Sequence, residues 1–254
     1  MLEKLANVFR VPDLRKRIVF TLALLAVYRL GGHIPTPGIN ADLLQQFFDQ
    51  NRGTFLGFVD LFSGGQLRRL TIFALGIMPY ITASIILQLL TVVYEPLAKL
   101  QKEGELGRKK ITEWTRYLTL ILSILQSLGI AVTLMKSSTG TGGVAYVNNP
   151  GVPFVLMTVL TLTTGSVFIM WLGEQITERG IGNGMSLLIF AGIVVGLPRG
   201  VMDLVDKIKT DAWGAFTAPA MIILVVLMVA VVAFIVYVER AERRIPVQYA
   251  KRVI

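Results

Sequence analysis

The stretch LFSGGQLRRLTIFALGIMPYI, residues 61–81, decides how the whole chain is interpreted. A Gly-Gly pair and an Arg-Arg pair stand directly before a strongly apolar run, and Pro79 interrupts that run. A simple membrane anchor needs none of these features, because an unbroken helix of about 20 apolar residues already pairs all its backbone groups within the bilayer. The stretch therefore indicates a membrane segment with a function beyond anchoring.

The composition is typical of a membrane protein. Of the 254 residues, 54% are hydrophobic and 16% are charged, whereas soluble domains average roughly 45–50% apolar and about 25% charged residues. The net charge of +9 fits an excess of Lys and Arg in cytoplasmic loops. With no cysteine and one histidine, the chain has no thiol nucleophile, no disulfide and no zinc-ligand set of the ordinary type.

Six membrane-spanning helices are predicted from the apolar runs. Their approximate bounds are 18–34, 70–93, 117–135, 154–172, 185–197 (or 185–205) and 216–238. With a cytoplasmic N-terminus, 17 Lys and Arg residues fall in the four cytoplasmic segments and 7 in the three outer loops, and Arg29 lies inside the first span. This asymmetry predicts that both ends of the chain are cytoplasmic.

Residues 54–70 are apolar enough to enter a membrane but too short to span it. Asp60, the Gly-Gly pair and the Arg-Arg pair exclude immersion of this segment in lipid. Two arrangements fit: a re-entrant half-helix beside a pore, or an amphipathic helix on the outer membrane surface. Two further features are read more simply, Pro79 as a kink in the second span and GIVVG (192–196) as a close helix approach.

Two rival functions are a secondary transporter or ion channel, and an intramembrane enzyme. Pumps and carriers usually need ionisable groups near the middle of the membrane, and the predicted span interiors carry almost none. An intramembrane enzyme would need a nucleophile–base pair, and the sequence shows none. We expect no enzymatic activity, no cofactor and no metal. The transporter or ion channel remains the alternative.

Two long segments resemble the SecY family, the central subunit of the protein-conducting Sec channel. They are FSGGQLRRLTIFALGIMPYITASIILQLLTVV (62–93) and MWLGEQITERGIGNGMSLLIFAGIVVGLP (170–198). HIPTPGI (33–39), EGELGRKKITEWTRY (103–117) and VERAERRIPVQYAKR (238–252) fit as well. The resemblance is to the bacterial branch and covers nearly the whole chain.

The resemblance implies an all-α polytopic membrane protein: the first five-span half of a ten-span inverted-repeat clamshell, plus the sixth span. The implied divisions are a cytoplasmic N-terminus (1–17), the five-span half (18–205) with a plug (54–67), an outer loop and sixth span (206–238), and the start of a cytoplasmic loop (239–254). The chain is expected to be the N-terminal part of a longer protein. The implied function is passive: a gated pore in the bacterial plasma membrane that passes unfolded secretory polypeptides and releases membrane segments sideways.

The resemblance also implies roles for particular residues. Ile77, Ile81, Met185 and Ile189 match an apolar pore ring. The plug residues are Phe55, Leu56, Phe58, Val59, Leu61, Phe62, Ser63, Gly64 and Gly65. Gln88 lies at the lateral gate, and Arg243, Arg244, Lys251 and Arg252 match contacts for the ribosome or the SecA motor. The implied partners are the SecE and SecG subunits, SecA, the ribosome, the signal sequence with its nascent polypeptide, and the lipid bilayer.

Overall fold

The computed structural model describes residues 11–50, 57, 60, 63–139, 146–210 and 217–241. Helices dominate these residues. Their bounds are α1 Pro12–Gly31, α2 Ala41–Gln50, α3 Met78–Val93, α4 Glu95–Lys102, α5 Glu105–Thr139, α6 Val152–Arg179, α7 Gly184–Lys209 and α8 Thr217–Glu239. Two isolated antiparallel bridges, Pro35 with Thr71 and Ile39 with Val147, join the connecting segments.

By length and composition, four of the described helices can cross a membrane: α5, α6, α7 and α8. A fifth crossing arises if α3 and α4 count as one broken span, since they meet at a bend of 99°. Helix α1 does not meet the same standard, because Arg15, Lys16, Arg17 and Arg29 fall in every 18-residue stretch of it. The crossing by α1, and so the total of six spans, stays a prediction.

The second predicted span differs from the structure at its beginning. Residues 70–77 form consecutive turns rather than helix, and α3 begins only at Met78. Leu70 and Gly76 have positive φ angles of 39° and 56°, which a right-handed helix does not allow. The backbone here pairs with the chain that follows α1: the Ile72 N–H donates to the Ile34 carbonyl at 3.0 Å, and the Thr36 N–H donates to the Leu70 carbonyl at 2.9 Å.

The sequence suggested that Pro79 kinks a continuous helix. The structure differs, because the helix begins only at Met78. Pro79 lies in the first turn of α3. The first backbone N–H groups of a helix have no partner inside the helix, so a proline there removes no helical hydrogen bond, and its fixed φ angle suits the helix start.

Residues Met1–Leu197 contain one compact unit, and its described part holds two apolar clusters. The Ile169 cluster consists of Tyr28, Phe73, Ile77, Ile169, Leu172, Ile176 and Leu188. The Leu162 cluster consists of Leu44, Phe48, Leu67, Leu70, Ala74, Leu75 and Leu162. Helix α6 contributes to both and is the most buried of the helices that can cross a membrane. It is therefore the central element of this unit.

Helix α5 buries a stripe of small side chains spaced four residues apart: Thr115, Thr119, Ser123, Ser127 and Ala131. Residues at this spacing share one face of a helix. Small residues let neighbouring helices approach closely where the bilayer supplies no hydrophobic driving force. The Ser127 and Thr163 hydroxyls, 3.4 Å apart, join α5 to α6. All four threonine and serine hydroxyls on this stripe also donate to backbone carbonyls of their own helix.

Residues Pro198–Ile254 form the second compact unit. Helix α7 continues through Pro198 to Lys209, which agrees with the longer of the two predicted ends of the fifth span. Helix α8 matches the predicted sixth span to within one residue at each end. Its apolar residues occupy all sides, as in a helix surrounded by lipid or protein.

Candidate functional site

The four residues predicted for the pore ring come together in the structure. Ile77 belongs to the Ile169 cluster, and Ile81, Met185 and Ile189 are partly buried against it. Ile77 and Ile81 lie one turn apart at the start of α3, where the Ile81 N–H donates to the Ile77 carbonyl at 3.1 Å. Met185 and Ile189 occupy the first turns of α7. Two helix beginnings thus place four apolar side chains on one cluster.

The loop between α6 and α7 fixes where α7 begins. Asn183 accepts hydrogen bonds at its Oδ1 from the N–H groups of Met185, at 3.0 Å, and Ser186, at 3.3 Å. This is the bonding of a helix N-cap, which satisfies donors that have no partner within the helix. The Thr177 hydroxyl accepts a further bond from the Gly184 N–H at 2.9 Å. The capped start sets the position of Met185 directly.

Thr21 of α1 ties this loop to the rest of the unit. Its buried hydroxyl donates to the Arg17 carbonyl at 2.8 Å and accepts from the Ile181 N–H at 3.1 Å. Gly180 lies against the Thr21 hydroxyl, since a Cβ atom at Gly180 would stand 2.5 Å from the hydroxyl oxygen. One hydroxyl therefore joins two segments that are 160 residues apart in the chain.

Two glycines bring α6 and α7 into backbone contact. A Cβ atom at Gly184 would overlap the Gly173 carbonyl oxygen, and a Cβ atom at Gly173 would overlap the Met185 sulfur. The Leu188 Cδ1 atom lies 3.4 Å from the same point above Gly173. At Gly184 only a residue without a side chain fits, because the clash is with backbone, whereas a side chain at Gly173 would displace the flexible Met185 side chain.

Asp60 organises the Gly-Gly turn, which we define as Asp60 with residues 63–68. Its Oδ1 accepts from the Arg68 N–H at 3.0 Å and from the Ser63 hydroxyl at 3.3 Å. Its carbonyl accepts from the Gly65 N–H at 2.9 Å. Gly64 and Gly65 have φ angles of 69° and 78°, in the left-handed region that glycine adopts without steric cost.

The Arg68 guanidinium lies between two carboxylates. Its Nε atom is 3.9 Å from Asp60 Oδ2, and its Nη1 atom is 3.8 Å from Asp49 Oδ1 at the end of α2. Burial raises the pKa of the Asp60 carboxyl above its ordinary value, and the hydrogen bonds and charge of Arg68 oppose that rise. The Gly-Gly turn is thereby linked to α2, whose Leu44 and Phe48 are anchored in the Leu162 cluster.

The Gly-Gly turn also touches α7. A Cβ atom at Gly64 would stand 3.0 Å from both the Cα and the carbonyl oxygen of Gly192. Gly192 opens the GIVVG sequence, which indicated a close helix approach. In the structure, Gly192 of that sequence contacts Gly64 of the Gly-Gly turn.

Other predicted site residues have different outcomes. Of the plug residues, Ser63, Gly64 and Gly65 lie in the Gly-Gly turn. Gln88 is described and exposed on α3. The remaining predicted residues lie outside the described part of the chain: Phe55, Leu56, Phe58, Val59, Leu61, Phe62, Arg243, Arg244, Lys251 and Arg252.

Sequence reasoning missed the residues that hold the site together: Thr21, Gly173, Asn183 and the Asp60–Arg68 pair. Only Asn183 had a usable signal, because an asparagine just before an apolar helical run is a common N-cap. The partners of the others are set by contacts distant in sequence. Among the described residues, no group of three or more His, Cys, Asp or Glu residues could hold a metal ion.

Comparison with solved structures shows which known fold the chain shares. The chain aligns with a structure described as "The structure of a protein conducting channel" with a TM-score of 0.57 and 17% identity, over 86% of this chain and 47% of that one. It also aligns with Sec61 in the canine ribosome–channel complex from the endoplasmic reticulum, with a TM-score of 0.59 and 18% identity, over 91% and 49%. The fold is therefore that of about half of such a channel chain, which confirms the predicted fold class.

Sequence relatives identify the family. The family model named SecY matches residues 71–253. Protein translocase subunit SecY from Aquifex aeolicus is 48% identical over 100% of this chain and 58% of its own length. The subunit of the same name from Escherichia coli K12 is 51% identical over 94% of this chain and 53% of its own length. The chain belongs to the SecY family, is a multi-pass membrane protein, and spans a little over half the length of these two relatives.

Proposed function

We propose that this chain forms half of a gated pore that conducts unfolded secretory polypeptides across the bacterial plasma membrane and releases membrane segments sideways into the bilayer. The observation that carries the proposal is the convergence of Ile77, Ile81, Met185 and Ile189 on one apolar cluster. A narrow apolar ring disfavours water and ions, and it widens around a polypeptide without offering a charge that would hold it. Membership of the SecY family supports the same function.

The Gly-Gly turn supports a plug at residues 54–67. Its glycines have backbone angles suited to a sharp change of direction, and Asp60 and Arg68 form polar contacts that would be costly in lipid. These contacts favour a re-entrant segment beside the pore over a helix lying on the outer membrane surface. The plug would form a second barrier on the outer side of the ring.

A secondary transporter or ion channel is the alternative function. An ionisable relay would be its main requirement. Among the described residues, Glu174 of α6 instead forms an ion pair with Arg116 of α5, with Arg116 Nε 2.7 Å from Glu174 Oε1. This contact has a structural reading as a link between two helices. The pore therefore remains the better-supported function, and no catalytic step is proposed.

The energy for transport would come from partners. Arg243, Arg244, Lys251 and Arg252 supply positive charge suited to the ribosome or to the SecA motor. SecE and SecG are proposed as companion subunits, and the signal sequence and nascent polypeptide as substrate. The excess of Lys and Arg predicted for the inner segments supports a cytoplasmic N-terminus.

Site-specific photocrosslinking in the full-length protein tests the proposal. A photoreactive residue at Ile81 should capture a stalled secretory nascent chain, and capture should depend on a functional signal sequence. The same residue at Leu125, exposed on α5, is the matched control and should capture none. Absence of crosslinks at Ile81, Ile77 and Ile189 together would contradict the pore and favour the transporter.

A further inference from the structure

The Met185 side chain packs between α6 and α7, at a position that we call the Met185 packing site and define by Gly173 and Leu188. Gly173 lies against the methionine, since a Cβ atom at Gly173 would overlap the Met185 sulfur. Leu188, fully buried, closes one side. The methionine itself is only partly buried, so its remaining side is open.

Hydrogen bonds hold the backbone around the Met185 packing site. The Thr177 hydroxyl donates to the Gly173 carbonyl at 2.8 Å and accepts from the Gly184 N–H at 2.9 Å. The same Gly173 carbonyl lies where a Gly184 side chain would stand. The hydrogen bond from the Gly184 N–H to the Thr177 hydroxyl holds the start of α7 against α6 and opposes their separation. An added atom at Gly173 is therefore accommodated first by movement of the flexible Met185 thioether.

We propose that Gly173 is a positioning residue for the constriction: by leaving its Cβ space to Met185, it holds the methionine back from the pore axis and sets the aperture of the ring. This inference rests on the proposed pore function. Gly173→Ala would displace the thioether away from α6, and Ile81 and Ile189 pack against the same cluster as Met185. A larger residue at Gly173 therefore narrows the ring without touching the translocating chain.

The test compares two precursors in the full-length translocase complex, one linear and one carrying a covalently closed intrachain loop. The measured quantity is the ratio of their translocation rates, looped over linear. We expect Gly173→Ala to lower this ratio by about fivefold, which corresponds to ~1 kcal/mol. A purely structural defect would slow both precursors equally and leave the ratio unchanged.

Two further variants make the test specific. Met185→Ala should raise the ratio above that of the wild type, and it should restore the ratio in combination with Gly173→Ala. The control is Gly129→Ala on α5, where an added Cβ meets no atom within 4 Å, and its ratio should equal that of the wild type. If Gly173→Ala prevents assembly, the effect of Met185→Ala alone decides.

Failure of this inference is distinguishable from failure of the pore. An unchanged ratio in Gly173→Ala, or no increase in Met185→Ala, overturns the positioning role while crosslinking at Ile81 still supports the pore. Absence of crosslinking at the ring removes both.

Discussion

At the scale of single residues, the contacts of one carboxylate explain the local structure of the segment that decides the fold. The Asp60 carboxylate accepts hydrogen bonds from the Arg68 N–H and the Ser63 hydroxyl, and the Asp60 backbone carbonyl accepts one from the Gly65 N–H. Hydrogen bonds to a carboxylate favour its charged form, whereas burial disfavours it. Burial is the larger effect here, so the pKa of Asp60 is raised.

Replacement of Asp60 by Asn should change how stability depends on pH. A carboxyl with a raised folded-state pKa stabilises the fold fully below its unfolded pKa of about 3.9, and that contribution is lost as the pH rises through the folded pKa. Asparagine does not titrate. The unfolding temperature of the Asp60→Asn complex minus that of the wild type should therefore become more positive from about pH 4 to about pH 7.

The matched control for this experiment is Asp42→Asn, at an exposed aspartate on α2. Thermal unfolding of the purified complex, followed at several pH values, gives the comparison. A difference for Asp60→Asn that stays flat, or that becomes more negative with rising pH, would show that the ion pair with Arg68 outweighs burial.

At the scale of elements, the four residues of the proposed ring lie where two helices begin. Helix α3 begins at Met78, one residue after Ile77, and α7 begins at Gly184, one residue before Met185. A helix start depends on the groups that satisfy its free N–H donors. For α7 those groups come from Asn183 and Thr177, while Thr21 fixes the loop from a different helix. The position of Met185 and Ile189, half of the proposed ring, therefore depends on a hydroxyl in α1.

Thr21→Val removes this hydroxyl while keeping the shape of the side chain. The Ile181 N–H loses its acceptor, and the loss of such a hydrogen bond costs about 1 kcal/mol. We expect the unfolding temperature of the complex to fall by about 2–4 °C. Thr21→Ser keeps the hydroxyl and should fall by less. Equal unfolding temperatures for Thr21→Val and the wild type would mean that water replaces the lost partner without cost.

At the scale of the whole molecule, α3 leaves one face without a partner among the described residues. Leu89, Val92 and Val93 are 63%, 83% and 82% exposed, and Gln88 is exposed on the same helix. In a membrane such a face meets lipid or another helix. The proposed lateral gate needs a face of this kind, at which an apolar signal helix is stabilised by about 0.8 kcal/mol per buried CH₂ group.

A photoreactive residue at Gln88 should therefore distinguish the gate from the pore. In the full-length translocase it should capture the signal sequence of a stalled precursor and not the mature segment that follows. The same residue at Ile81 should capture the mature segment. Mass spectrometry of the crosslinked peptides identifies the captured part. Capture of the mature segment at Gln88, or of neither part, would contradict the gate assignment.

Much of the fold was predictable because membrane helices are encoded locally. An apolar run of sufficient length must satisfy its backbone groups internally, and a helix does this within one segment. The predicted spans at 117–135, 154–172 and 185–197 (or 185–205) accordingly lie within α5, α6 and α7, and the span at 216–238 matches α8 to within one residue at each end. The beginning of α3 was predicted eight residues early, because the apolar character of residues 70–77 does not reveal that their backbone pairs with residues 34–36.

The sequence by itself determined the class of the protein, the positions of most helices and the four apolar residues of the candidate ring, since these follow from composition, local pattern and family motifs. Only the tertiary structure decided how that ring is held: Gly173 against Met185, Thr21 beneath the α6–α7 loop, and Arg68 between two carboxylates. The physical reason is the separation along the chain between the residues that interact. Helix formation depends on neighbouring residues, whereas steric exclusion and hydrogen bonds between distant segments exist only after the chain has packed.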